Sequence, residues 1–363
     1  MNTRLTRLAG AALAAGLGIS SLAACGGGGS DTAGGGGGDT GGGKKIALLL
    51  PESKTARYES RDRPLFTAAI KAACADCQII YSNADQDAAK QQQQAEAALT
   101  QGANVLVLDP VDGKAAAAVV NNAKSQGVPV VAYDRPVPST PADYYVSFDN
   151  ETVGKLQGET LVDILKKDGK TSGNLVMING SPTDPNAADF KKGAHGVLDG
   201  SGFKVVAEYD TPDWSPDKAQ QWMESQITAV KSGLVGVYAA NDGTAGGAIT
   251  ALKGGGVTPL PPVTGQDAEL AGIQRIIAGD QAMTIYKPIK PEAEAAAKAA
   301  LALANKQKPE STKDVDGVPS TILDPIAVVK ANVKDTVVKD GVFKIEELCA
   351  GSFAKACAAA GLS

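Results

Sequence analysis

The chain has 363 residues, with 35 Lys and Arg against 40 Asp and Glu and a formal net charge of −5. That balance leaves no electrostatic footprint for nucleic acid, and a single His beside the Cys pairs supplies no zinc-ligand spacing. The 320 residues that follow the first 43 (363 less 43) suffice for about two ordinary domains with real hydrophobic cores.

At the N-terminus, Arg4 and Arg7 precede an apolar stretch from Leu8 to Leu22, followed by Ala23, Ala24 and Cys25. A basic n-region, an apolar h-region and small residues at the cut site form a secretory signal. The stretch is short and glycine-broken against the roughly 20 residues of a membrane span. Leu22-Ala23-Ala24-Cys25 resembles the lipobox of bacterial lipoproteins. The resemblance implies a signal peptide over 1–24, cleavage before Cys25 and a lipid on its sulfur. Residues 25–43, mostly Gly with small polar side chains, read as a flexible tether. The folded part is therefore expected outside the cytoplasmic membrane, lipid-anchored to its outer face.

From Lys44 onward, short apolar runs alternate with amphipathic ones. Strands are expected at Ile46–Leu50, Gln78–Tyr81, Val105–Leu108, Pro129–Tyr133 and Tyr144–Phe148, with helices at Arg61–Ala75, Asp87–Gln101 and Gly113–Gln126 between them. The pattern resumes with helix Val153–Lys167, strand Leu175–Ile178, helix Asp184–Asp199, strand Lys204–Tyr209, helix Pro216–Lys231 and strand Gly236–Ala240. Helix Ala245–Lys253, a strand near Val263, helix Leu270–Ala278, strand Ala282–Tyr286 and helix Pro291–Asn305 complete it. Runs of four to six apolar residues suit strands buried on both faces, and alternation with helices makes right-handed βαβ units. The expectation is an α/β chain with two doubly wound parallel sheets of about five or six strands, one per lobe.

Cys74, Cys77, Cys349 and Cys357 remain in the folded part, and an even count in an exported chain reads as disulfides. Of the three possible connectivities, local pairing is preferred: Cys74 with Cys77, and Cys349 with Cys357. A redox dithiol at Cys74-Ala75-Asp76-Cys77 is disfavoured, because the pair ends a helix rather than starting one.

Ligands of open α/β sheets bind beyond the carboxyl ends of the strands. Those ends carry Arg57 and Tyr58, Asp109, Asp134 and Arg135, Asp149 and Asn150, Asp184 and Asn186, and Asp213 and Trp214. Asn241 and Asp242, Gln266 and Asp267, and Lys287 continue the series. Capping of the next helix is a sufficient reading for Asp109, Asp149 and Asp242. It does not explain Arg57, Arg135, Lys287 or Trp214. Carboxylates and amides accept from hydroxyls, Arg and Lys donate to them, and an aromatic plane covers the C–H face of a sugar ring. No glycine-rich phosphate loop follows the first strand. Gly243–Gly247 and Gly254–Gly256 read as turn and packing positions.

The stretches Arg57-Tyr58, Ala132–Arg135, Ser147–Glu151, Gly180–Pro182, Asn241–Gly247, Gly265–Ala268 and Tyr286–Pro288 resemble those of bacterial sugar-transporter solute-binding proteins. The group is the type I (ribose/galactose-type) periplasmic binding proteins, and within it the D-xylose-binding proteins. The resemblance covers Lys45 to about Lys330 and excludes the C-terminal segment with Cys349 and Cys357. It implies that Arg57, Asp134, Arg135, Asn186, Asn241, Asp267 and Lys287 bond sugar hydroxyls. It also implies that Tyr58 and Trp214 sandwich the ring and that Asp184 lines the same pocket. This chain carries Tyr58 where close relatives often carry Trp. Two lobes are implied, 44–148 with 288–323 and 149–287 with 324–363, joined by a three-crossing hinge. The crossings lie near Phe148–Glu151, Lys287-Pro288 and Leu323–Ile326. The partners implied are a monosaccharide, D-xylose in first place, and the membrane subunits of an ABC permease, with the binding protein itself a monomer. No cofactor, metal or catalytic residue is expected. A sensor subunit presenting bound sugar to a membrane receptor would share the fold and pocket. A glycosidase drawn from Asp134 and Asp267 is disfavoured, since Arg and Lys neighbours lower the pKa of a general acid.

Overall fold

The computed structural model describes residues 43–362; the signal segment, Cys25 and nearly all of the tether lie outside them. The first half of the fold runs β1 (Lys45–Leu50), α1 (Arg63–Ala73), β2 (Gln78–Asn83), α2 (Ala88–Thr100), β3 (Val105–Leu108), α3 (Ala116–Ser125), β4 (Val130–Tyr133) and β5 (Tyr144–Phe148). The second half runs α4 (Asn150–Lys167), β6 (Gly173–Asn179), α5 (Pro185–Leu198), β7 (Phe203–Asp210), α6 (Pro216–Val230), β8 (Leu234–Ala239), α7 (Asp242–Gly254), α8 (Leu270–Ala278) and β9 (Met283–Tyr286). The chain ends with α9 (Ile289–Ala304), β10 (Lys313–Val315), β11 (Val318–Leu323), β12 (Ile326–Val329), α10 (Ile345–Leu348) and α11 (Ala354–Ala359).

The first sheet has seven strands in the order β10-β11-β5-β4-β3-β1-β2, parallel except for the β10 edge. Successive side chains of β1 serve opposite faces, as strand geometry requires. Ile46, Leu48 and Leu50 pack with Phe66 and Ile70 of α1 and the alanines of α9. Ala47 and Leu49 pack with Ala95 and Leu99 of α2 and Val119 and Val120 of α3.

The second sheet is smaller than expected. Its parallel core is β7-β6-β8, and β9 pairs antiparallel with β12. The strand expected near Val263 is reduced to single bridges, Val237 to Val263 and Gln266 to Ile285. Pro261 and Pro262 flank that segment and lack the N–H a ladder needs. Helices α4 and α5 cover one face of this sheet and α6 and α7 the other. A Cβ at Gly154 would lie 1.9 Å from the Phe190 carbonyl, and one at Gly247 2.3 Å from the Pro216 carbonyl, so these glycines let paired helices touch.

The chain passes between the sheets after β5, after β9 and after β11. β10 to β12 and the C-terminal helices were not anticipated from the sequence. The C-terminal segment packs Val333, Val337, Phe343, Leu348 and Leu362 against Ile273, Ile276 and Ile277 of α8. The sulfurs of Cys74 and Cys77 are 1.97 Å apart and those of Cys349 and Cys357 2.11 Å apart, in the local pairing. Among the described residues no helix is long and apolar enough to cross a membrane.

Candidate functional site

The carboxyl ends of both sheets face each other across one polar cleft. Its centre is a cavity lined by Thr55, Tyr58, Asp134, Arg135, Asp184, Asn186, Phe190, Trp214, Asn241, Gln266, Asp267 and Lys287. Every residue that the resemblance assigns to the sugar pocket lines this cavity except Arg57; of the other strand-end residues Gln266 does, and Asn150 and Asp213 do not. Arg57 stands directly behind it, with Nη1 3.6 Å from a carboxylate oxygen of both Asp134 and Asp267.

The first sheet contributes a braced cationic wall. The π-helical turn Tyr58–Asp62 folds Asp62 back so that Arg57 donates to it through Nε at 2.9 Å and Nη2 at 2.6 Å. Glu292 on α9 meets the same guanidinium at 3.0 Å. After β4, Arg135 reaches Asp184 at 3.0 Å and Asp109 at 3.5 Å, and donates to the Pro110 carbonyl and the Tyr58 hydroxyl. The Tyr58 hydroxyl in turn donates to Asp134 at 3.0 Å, joining Arg135 to that carboxylate.

The second sheet supplies the opposing wall. Asp184 caps α5 by accepting from the Asn186 N–H at 2.9 Å, and accepts from the Trp214 indole at 3.0 Å. The Asn186 amide crosses the cleft to the Asp134 carbonyl at 3.0 Å. Trp214 lies edge-on to Phe190 and fits only because Gly180 has no side chain: a Cβ there would sit 2.1 Å from the indole ring. Asn241 caps α7. Lys287 follows β9, 3.1 Å from Asp267 and 3.6 Å from Asp134, over the rings of Phe148 and Phe190.

Two observations mark this cleft as a binding site. Asp134, Asp213, Trp214, Asp267 and Ala268 all have positive φ. Such backbone costs about 1–3 kcal/mol per residue and gathers at functional sites. The second is polar bookkeeping. Asn186 Oδ1 and Gln266 Oε1 are buried without hydrogen-bond partners, and Arg57 Nη1, Asp134 Oδ1 and Asp267 Oδ1 meet opposite charges but make no hydrogen bond. Such atoms are rare in native proteins, and here they come from both walls.

The electrostatics follow from burial opposed by counter-charges. Burial would raise the Asp134 pKa, but Arg57, Lys287 and Arg135 outweigh it and hold the carboxyl well below its ordinary value. Burial would likewise lower Lys287, and Asp134 and Asp267 reverse the sign and raise it. For Asp184 and Asp109 burial wins over Arg135 and both rise. A carboxyl held this low is a poor general acid, which removes Asp134 from that role.

Asp149 caps its helix, accepting from the Thr152 N–H at 3.0 Å. Asp109 does not: Asp112 accepts from the next turn, and Asp109 is buried against Arg135. Asp242 is no cap either, since Asn241 holds that position; its carboxylate accepts from the Glu269 N–H and the Gln281 amide. The sequence reading missed Thr55, Phe190, Asp62 and Glu292. Glu292 was detectable, because helical spacing puts it on the buried stripe of Ile289, Ala293, Ala296 and Ala300.

The cavity's free volume is about 10 Å³, room for about one water, so the two walls are closed on each other. A wider space of about 560 Å³ lies on the other side of Arg57, Asp267 and Lys287, bounded also by Tyr286 and Phe343. It holds more room but, of that polar set, only Arg57 and Asp267.

Comparison with known proteins agrees with this arrangement. Residues 46–308 match the periplasmic binding protein domain family. The D-xylose-binding periplasmic protein of Escherichia coli strain K12 is 40% identical over 312 residues, covering 84% of this chain and 92% of that protein. That of Haemophilus influenzae is 39% identical over the same length, with the same coverage. A crystal structure of an ABC transporter solute-binding protein from Clostridium phytofermentans with bound β-D-glucose superposes with a TM-score of 0.77. It is 29% identical and covers 84% of this chain and all of that one. These names describe solute binding and transport, not catalysis. With the parallel sheets, the facing strand ends and the family match over most of its length, this chain belongs to the periplasmic binding proteins and has their type I fold.

Proposed function

We propose that this protein is the sugar-binding component of an ABC importer, capturing one neutral monosaccharide in the cleft and handing it unaltered to the permease. D-xylose is the first candidate, on the strength of the relatives named above. The observation that carries the reading is the set of buried donors and acceptors, contributed by both walls, whose hydrogen bonds the protein itself leaves unmade. Vicinal hydroxyls, each a donor and an acceptor, match a guanidinium N–H beside carboxylate and amide oxygens. On this reading Arg57, Asp134, Arg135, Asn186, Asn241, Asp267 and Lys287 bond hydroxyls, Asp184 braces Arg135 and Trp214, and Trp214 and Tyr58 flank the ring.

The lobes are 44–148 with 288–323 and 149–287 with 324–363, and they open about the three chain passages. A cavity of about 10 Å³ admits no sugar until they do. Closure then expels water and strengthens each polar contact. A ligand lacking one hydroxyl leaves a buried group unpaired, at a cost of about 1–3 kcal/mol, which gives selectivity. On the same reading the signal over 1–24 is removed, a lipid on Cys25 anchors the protein to the outer face of the membrane, and the protein works there as a monomer with two local disulfides. A thermal-shift screen against monosaccharides tests the reading, because a ligand that binds only the native state raises Tm. D-xylose should give the largest shift; no shift with any pentose or hexose would refute it.

A further inference from the structure

The two halves also touch directly at the rim of the cleft, beside the cavity. The loop after β3 meets the loop after β6. The Gly113 N–H donates to the Thr183 carbonyl at 3.1 Å, and the Thr183 hydroxyl donates to the Val111 carbonyl at 3.3 Å. Gly113 is buried there although Lys114 beside it is exposed. A Cβ at Gly113 would lie 2.4 Å from Pro185 Cγ and 3.0 Å from Pro185 Cδ, both in the opposite half. Within its own half the nearest atom is the Pro136 carbonyl oxygen at 3.3 Å. Gly113 is also not among the glycines with positive φ. Its backbone therefore does not require glycine; the approach of the other half does.

This rim is wired to the site. The loop that carries Thr183 and Pro185 also carries Asp184, which meets Arg135 at 3.0 Å. The loop that carries Gly113 carries Pro110, whose carbonyl accepts from Arg135 at 3.1 Å. Seating Pro185 on Gly113 thus brings Asp184 onto a guanidinium that the Gly113 loop itself holds.

We propose that Gly113 is a positioning residue: its missing side chain lets the rim shut, and the shut rim sets how slowly a bound sugar leaves. The proposal rests on the sugar-binding reading for its ligand but not for its geometry. A side chain at Gly113 would hold the halves apart in the closed state only. Fold stability and the encounter with sugar should be little affected, while dissociation, which runs through opening, should speed up.

The test uses the full mature chain with spin labels at Gln92→Cys on α2 and Gln221→Cys on α6, both exposed positions. Gly113→Leu should lose the short inter-label distance of the parent protein, without ligand and with D-xylose. Its dissociation rate for D-xylose should rise at least tenfold while the association rate changes less than threefold. Gly113→Ala should show a weaker form of both effects, and adding Pro185→Ala, which removes the facing Cγ and Cδ, should partly restore the parent behaviour. That rescue decides the matter if Gly113→Leu fails to fold. Parent-like distances in Gly113→Leu, or no rescue by Pro185→Ala, would overturn the proposal. A parent protein that binds no sugar would defeat the sugar reading instead, and the unliganded distances would still judge the rim.

Discussion

Asp267→Asn isolates one charge at the centre of the site. Asp267 has φ of 87°, a left-handed conformation that Asn tolerates as Asp does, and its N–H donates to the Ile285 carbonyl at 2.8 Å. The substitution therefore keeps backbone and side-chain shape. It removes the charge that lies 3.1 Å from Lys287 and 3.6 Å from Arg57. Lys287 keeps Asp134 at 3.6 Å, and Arg57 keeps Asp62 and Glu292. No cation is stranded, so the about 3–5 kcal/mol cost of an uncompensated buried charge does not arise. A hydroxyl donating to a carboxylate contributes about 1.5–3 kcal/mol, and to a neutral amide about 0.5–1.5 kcal/mol. The difference of about 1–1.5 kcal/mol weakens D-xylose binding roughly five- to tenfold. Calorimetric titration reads the affinity and scanning calorimetry of the unliganded protein reads the fold. Unchanged affinity with an intact fold would remove Asp267 from the contact set. Loss of the folded state would show that its role is structural.

Three further outcomes are expected. Arg135→Lys cannot reach Asp184, Asp109, the Tyr58 hydroxyl and the Pro110 carbonyl together, because an ammonium lacks the planar fork. It should weaken sugar binding more than tenfold and lower Tm, and equal affinity in the two proteins would contradict the wall described here. His195 is the only histidine. Burial lowers its pKa, but its bonds to Asp199 and Glu208 outweigh this and raise it above 6.5. The folded state therefore binds that proton more tightly than the unfolded one. Its contribution to stability is full below pH 6.5 and fades as pH rises through the folded value. The single imidazole resonance should titrate above 6.5, and the Tm gap between the parent and His195→Asn should narrow from pH 5.5 to 8.5; a lower midpoint would reverse the sign. Finally, alkylation of the denatured, unreduced mature protein should leave Cys74, Cys77, Cys349 and Cys357 unmodified, and labelling of any of them would break the local pairing.

The alternation of strands and helices was legible where strands are buried on both faces and read as short apolar runs, as β1, β3, β4, β5 and β9 do. Val105–Leu108 and Tyr144–Phe148 begin and end in the structure where the apolar runs do. What periodicity missed is held by long-range contacts rather than local pattern. β10 and β11 carry mixed, partly exposed residues and join the first sheet only through β5. Val263 sits in a proline-flanked segment that pairs one residue at a time. The site was legible because Arg, Lys and Trp at strand ends have no capping use. Its bracing was not: Asp62 and Asp109 look like ordinary turn residues until a π-helical turn and a guanidinium reveal what each holds.

The most direct test of the account is a calorimetric titration of the mature protein with D-xylose, followed by nuclear magnetic resonance of the recovered sugar. Saturable binding of one sugar per chain, with the sugar returned chemically unchanged, is the predicted result. Absence of binding at millimolar D-xylose and across the other pentoses and hexoses, or recovery of an altered sugar, would contradict it.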